Sequence, residues 1–376
     1  MGWKRFRLAM TLAVGVSGSA CTGGSDTVDQ PAADAALTPG FDWYPGHYLL
    51  MIRPSGPEMT ASVAEAFNDA RFLSKFAGVQ AKFLWRDFEK KGGDYDFTAL
   101  KSVLAQLQSK NKKLFLQLQY ITFDGTPVVP DDLAAGGDFV NPSNGNHHAR
   151  LWSSQTIAGK TVNQRFISLM QALHDGLSVA ERSTLAGIAL PESACSGCER
   201  DPSYSAESDI QAMEADLLAL RSIFPRKIAV QYINFLPGAV NQTQALQGLA
   251  DFACAHKAGL GVPDIRRFQP DTGGPYAPPG YPVLYGSQTR VPLSLSVQTP
   301  DFHWNEQLAP AGKRDTGTYH LGTTEMGANF MVWANLQATP SPTPDPSKVS
   351  FNISDVFDLA TELPAPNLQL PSCLRP

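Results

Sequence analysis

Eight short apolar runs, spaced by segments of helical period or by loops, constrain this chain more than any other feature. They are residues 47–53 (HYLLMIR), 79–85, 114–120 (LFLQLQY), 185–190, 227–234 (KIAVQYIN), 260–265, 291–297 (VPLSLSV) and 328–333 (ANFMVW). All read as strands. Helical patterns fall at 57–76, where Val63, Ala66, Phe67, Ala70 and Leu73 share a face, and near 97–109, 162–177, 208–223, 242–256 and 355–363. Strands that alternate with helices imply parallel βαβ units. Eight such units predict an α/β fold, a (β/α)8 barrel, as one domain over residues 41–376. The alternative is an open doubly wound sheet. Its dinucleotide-binding form lacks support, since the first βα turn has no G-x-G-x-x-G.

The first residues hold Lys4, Arg5 and Arg7 and no acid, then an apolar run from Leu8 to Val16, then Ser17, Gly18, Ser19 and Ala20. That is the pattern of a signal peptide over residues 1–20. Cys21 after Ser19-Ala20 resembles the lipidated cysteine of bacterial lipoproteins, with Gly18 where that family has Leu or another aliphatic residue. An ordinary secretory signal cut near Ala20 is the alternative. The resemblance implies a protein exported to the periplasm or cell surface and anchored to a bacterial membrane through its N-terminal lipid. Residues 21–40 have few large apolar side chains and read as a flexible tether.

The chain carries 30 basic and 35 acidic side chains, net −5; without Lys4, Arg5 and Arg7 that becomes −8. No basic face is concentrated, so nucleic acid is not an expected partner. A monomer without cofactor or metal is expected. Beyond Cys21 stand Cys195, Cys198, Cys254 and Cys373. In an oxidising compartment they can form two disulfides, with three connectivities open. Cys195-Ser-Gly-Cys198 reads as a loop disulfide. A redox pair or half a zinc site is the alternative, but a second half with ligand spacing is missing.

Functional residues of such a barrel stand at the C-terminal ends of its strands. Strand 2 ends in Trp85-Arg86-Asp87-Phe88-Glu89, strand 3 in Gln117, Gln119 and Tyr120, and strand 4 in Pro191-Glu192-Ser193. Strand 5 ends in Gln231, Tyr232 and Asn234. Strand 7 ends in Gln298, with Asp301, His303 and Trp304 beyond, and strand 8 in Trp333 and Asn335. Amides and carboxylates hydrogen-bond hydroxyls, and Trp and Tyr faces stack on sugar rings. A carbohydrate substrate is the economical reading. His147 and His148 lie in an Asn/Gly-rich stretch and read as a solvated loop.

The stretch Phe83-Leu84-Trp85-Arg86-Asp87-Phe88-Glu89, then Gly92-Gly93-Asp94-Tyr95-Asp96-Phe97 with Leu100 and Leu104, resembles the second βα unit of retaining (β/α)8 glycoside hydrolases of the β-galactosidase, mannanase and cellulase type. Residues 326–333 (MGANFMVW) resemble that group's last strand, where a terminal Trp floors the sugar subsite. The resemblance implies two Glu residues, an acid/base after strand 4 and a nucleophile after strand 7, about 5–5.5 Å apart. Glu192 falls at the first position, after Pro191 where the family has Asn.

At the second position stands Gln298, which cannot form a glycosyl ester. Asp301, Glu306 or Asp271 could serve instead, or water could attack in an inverting mechanism. The barrel could also bind sugar without cleaving it. Glu325 should lie toward the opposite face. The expected site is thus Glu192 and Asp301 for catalysis, with Arg86, Glu89, Gln119, Tyr120, Tyr232, Asn234, Gln298, Trp304 and Trp333 against the substrate.

Overall fold

The computed structural model describes residues 40–51, 58–68, 73, 75–265, 278–298, 316–334 and 366–375. Its centre is a closed barrel of eight strands: β1 (Gly46–Met51), β2 (Gly78–Leu84), β3 (Lys113–Gln119), β4 (Leu185–Glu192), β5 (Ile228–Tyr232), β6 (Gly259–Val262), β7 (Leu293–Val297) and β8 (Phe330–Ala334). Every neighbouring pair is parallel, and β1 pairs with both β2 and β8 to close the ring. The eight expected runs are these eight strands. Helices α1 (Glu58–Ala66), α2 (Thr98–Ser109), α3 (Val162–Gly176), α4 (Ala206–Ile223), α5 (Gln242–Ala255), α6 (Gly280–Gly286) and α7 (Thr316–His320) lie between them in sequence. The expected closing helix at 355–363 falls outside the described residues.

Successive side chains of a strand point to opposite faces, so each barrel strand serves two cores. Tyr48, Leu50, Phe115, Ala189, Val230, Tyr232, Phe330 and Val332 fill the interior. Leu49, Met51, Val79, Ala81, Phe83, Leu114, Leu116 and Leu118 pack outward against helical residues such as Val63, Leu104 and Phe166. Large and small residues alternate around the interior. A β-carbon at Gly187 would lie 2.8 Å from the Phe115 ring, and one at Gly261 would run into the Tyr232 ring. Above this packing sits a polar belt. The Tyr232 hydroxyl donates to Gln80 Oε1 (3.0 Å) and meets Ser294 Oγ (3.1 Å), while Gln80 Nε2 donates to Gln117 Oε1 (3.0 Å).

Local signals start the long helices. Thr161 and Gln164 cap α3 reciprocally, at 3.1 and 2.9 Å, and Ser205 caps α4 through the Ser208 amide at 3.1 Å. The Asn/Gly-rich stretch with His147 and His148, expected as a solvated loop, is partly ordered into strands. Residues Ile121–Thr122, Asp138–Val140 and His147–Ala149 form a three-stranded antiparallel sheet. Among the described residues no helix is long and apolar enough to cross a membrane.

Candidate functional site

The end of β4 is built around one irregularity. Leu190 pairs with Gln231 and Glu192 with Tyr232, so Pro191 is the extra residue of a bulge. Proline has no N–H to give to a ladder, and a bulge is where a sheet interior tolerates it. The loop is then stitched to β5. Gln231 Nε2 donates to the Pro191 carbonyl (2.6 Å), the Ser193 amide to the Tyr232 carbonyl (3.0 Å), and the Asn234 amide to Ser193 Oγ (3.0 Å). These bonds fix Glu192 beside Asn234, whose Nδ2 donates to Glu192 Oε2 at 2.8 Å.

Burial pushes the Glu192 carboxyl up to about 7; the Asn234 bond opposes this, the Asp264 charge adds to it and the Lys82 ammonium opposes it. Lys82 is on β2 and Asp264 lies just past β6. Burial pushes Lys82 down, while Glu192 and Asp264 pull it back up. Three charged groups from three strands therefore act on one another at the barrel mouth. Gln119 Oε1 and Asn234 Oδ1 are buried there without a hydrogen-bond partner among the described residues. Such atoms call for a partner from outside the protein. Beside Glu192 is a cleft with a cavity of about 10 Å³, lined by Tyr120, His148, Trp152, Cys195 and Asp209. That is room for about one water, far below the ~300–1,000 Å³ of common small-molecule sites.

The other expected residues divide. Gln119 and Asn234 reach the mouth. Gln298, at the end of β7, donates from Nε2 to the Pro263 carbonyl (3.1 Å). Tyr232 points inward but lies below the mouth, 1% exposed, in the polar belt. Tyr120 follows β3 with its ring on Phe166 of α3, and its hydroxyl interacts with Asp216 and Asp209 of α4.

Glu89 is not offered to a substrate. It accepts from Trp85 Nε1 (2.7 Å), the Gly93 amide (2.8 Å) and Arg165 Nε (2.8 Å), with no exposed surface. Arg86 pairs with Asp131 at 2.5 Å on the loop side. Trp333 is 1% exposed and faces the helices, where it lies against Tyr319 and donates to His47 Nδ1 (3.0 Å). It is not a sugar platform, because alternation along β8 turns Phe330 and Val332 inward and Trp333 outward. Asp271, Asp301, His303, Trp304, Glu306, Asn335 and Cys21 lie outside the described residues.

Two disulfides form, Cys195–Cys198 and Cys254–Cys373. The histidines are not a solvated loop. His147 pairs with Asp138 at 2.6 Å, and His148 is 1% exposed beside the Cys195–Cys198 turn. The residues that sequence reasoning passed over are Lys82, Asp209 and Asp264. Lys82 and Gln80 had a signal, two polar residues at period 2 in an apolar strand. Asp264 sits at a strand end like the others and is reached by the same rule.

No protein-family model and no curated protein matches the chain. Among solved structures, the exo-β-1,4-mannosidase Op5Man5 from Opitutaceae bacterium strain TAV5 aligns at 12% identity and TM-score 0.45, over 86% of this chain and 58% of that one. A psychrophilic glycoside hydrolase family 10 endo-β-1,4-xylanase aligns at 8% identity and TM-score 0.46, over 78% of this chain and 86% of that one. The chain thus spans less than two thirds of the mannosidase. Likeness at this level says nothing of activity, and the barrel assignment stands on the strand pairing itself.

Proposed function

We propose that the chain is an exported glycoside hydrolase in which Glu192 is the general acid. The observation that carries this reading is a carboxyl at the barrel mouth, pushed by burial up to about 7 and held by Asn234. A carboxyl with that pKa stays protonated near neutral pH and can donate to a glycosidic oxygen as the bond breaks. Asp264 is the second carboxylate. It activates water on the opposite face of the sugar, and Lys82 lies within the field of both. β4 and β6 flank β5. Two strand spacings of ~4.8 Å set their rows about 10 Å apart, a separation that inward-reaching side chains can bring to the ~6.5–9.5 Å of an inverting pair. Gln119 and Asn234 then bind sugar hydroxyls, and Asp301 is the alternative second carboxylate. Two disulfides favour an oxidising compartment, in keeping with a signal peptide and a lipid on Cys21.

The test is release of reducing ends from a panel of oligo- and polysaccharides, with the product anomer followed by proton NMR. Glu192→Gln and Asp264→Asn are each expected to lower kcat by ~10²–10⁴, the usual worth of a positioned acid or base. Asp301→Asn is expected to leave it unchanged. Wild-type activity should fall as pH rises through about 7, where Glu192 loses its proton. Sugar binding with no turnover on any glycan would instead favour a non-catalytic binding barrel, the reading that Gln298 at the end of β7 motivates.

A further inference from the structure

One wall of the Glu192 cleft carries a group that hydrolysis does not use. His148, Cys195 and Cys198 place a ring nitrogen and two sulfurs within 4.8 Å of one another, and all three residues are buried. Among the described residues neither ring nitrogen of His148 has a hydrogen-bond partner, although the residue is 1% exposed. An imidazole buried in that state is a ligand awaiting an acceptor of its lone pair.

The surroundings hold the group in place. Strand His147–Ala149 is paired on both sides, with Ile121–Thr122 and Asp138–Val140. The cysteine turn is tied down by Asn141 Nδ2, which donates to the Ser196 carbonyl at 2.5 Å. Gly197 allows the turn, with φ +83° and Asn141 2.9 Å from where a β-carbon would stand. Phe139, Trp152 and Tyr204 pack around the sulfurs. The open side is the cleft shared by Tyr120, Glu192 and Asp209.

We propose that reduction of the Cys195–Cys198 disulfide turns this wall into a three-ligand site, His148 and two thiolates, for a thiophilic divalent cation of the zinc class. In a tetrahedral zinc site with Zn–S of ~2.3 Å, the sulfurs stand ~3.8 Å apart; the three ligand atoms lie within 4.8 Å of one another, and breaking the S–S bond frees the two sulfurs to separate to that spacing. Three protein ligands and a free fourth position are the pattern of reactive rather than structural zinc. Here the fourth position faces the cleft. In the reduction a phosphine takes oxygen from water and becomes its oxide, while the disulfide gains two electrons and the two protons and becomes two thiols. The cation then displaces both thiol protons, and His148 supplies a lone pair. With the disulfide closed, Cys195 and Cys198 have no thiolates to offer, so the site is gated by redox state.

The inference goes beyond hydrolysis and is read out without it. The full chain, reduced anaerobically with a water-soluble phosphine, is titrated with Co²⁺ and followed by absorbance and far-ultraviolet circular dichroism. One Co²⁺ per chain is expected, with thiolate charge-transfer bands and the visible bands of a tetrahedral site; the oxidised chain should show neither. His148→Gln should weaken binding by more than the ~10–100-fold that loss of an outer-shell partner costs. The Cys254→Ser/Cys373→Ser double variant should bind as the wild type does. The proposal is overturned if the reduced chain gives no thiolate bands or unfolds instead of binding. It is equally overturned if His148→Gln leaves the affinity unchanged, or if the double variant loses the signal.

Discussion

Trp333 ends a strand, yet its ring faces the helices, and the reason is the two-residue period of the strand. Leu49 and Val297 are its register partners, and all three belong to the outer core. Trp333→Ala should cost ~3–5 kcal/mol, as for other large buried aromatics, measured by urea unfolding. Sugar affinity should stay as it was; a variant of normal stability and weakened binding would restore the platform role. Glu89 teaches a related point. At the end of strand 2 it reads as substrate-facing, but Arg165, distant in sequence, closes on it at 2.7 Å. An ion pair between residues 76 apart leaves no local trace.

Among the elements, α4 has the most unusual inner face. It turns Asp209 and Asp216 into the protein between apolar neighbours such as Ala212, Met213 and Leu217. Burial pushes Asp209 up to about 7 against the Tyr204 hydrogen bond, and pushes Asp216 well up against the Asn163 bond. A carboxyl whose pKa is higher folded than unfolded binds its proton more tightly in the native state. Its stabilisation is full below about pH 4, the unfolded value, and is lost as pH rises to about 7. The loss from Asp209 alone is on the order of 4 kcal/mol. Melting temperature should therefore fall between pH 4 and 7, and Asp209→Asn should flatten that slope; an unchanged slope would exclude Asp209 as its source. The apolar positions of α4 were legible by helical period. The two acids were not, because on a pattern basis they belong on a solvated face.

For the whole molecule, Cys254–Cys373 links the end of α5 to the C-terminal segment across 119 residues. Chain-entropy arguments give a loop of that length ~5 kcal/mol, against under ~2 kcal/mol for the tight Cys195–Cys198 turn. Cys254→Ser with Cys373→Ser should lower unfolding free energy by several kcal/mol, and hydrogen exchange should show residues 366–375 opening first. Equal effects from the two disulfides would contradict the loop-length account.

The eight strands, their order as parallel units and the placing of Glu192 at a strand end were decided by the sequence alone, because apolar period and strand-end position are local properties. Tertiary structure decided the rest. It put Lys82 and Asp264 into the field of Glu192, buried His148 against the cysteine turn, and turned Trp333 and Glu89 away from the mouth. Those outcomes depend on which face of a strand meets the barrel axis and on which distant partner neutralises a charge. Both are fixed only when the ring of strands closes.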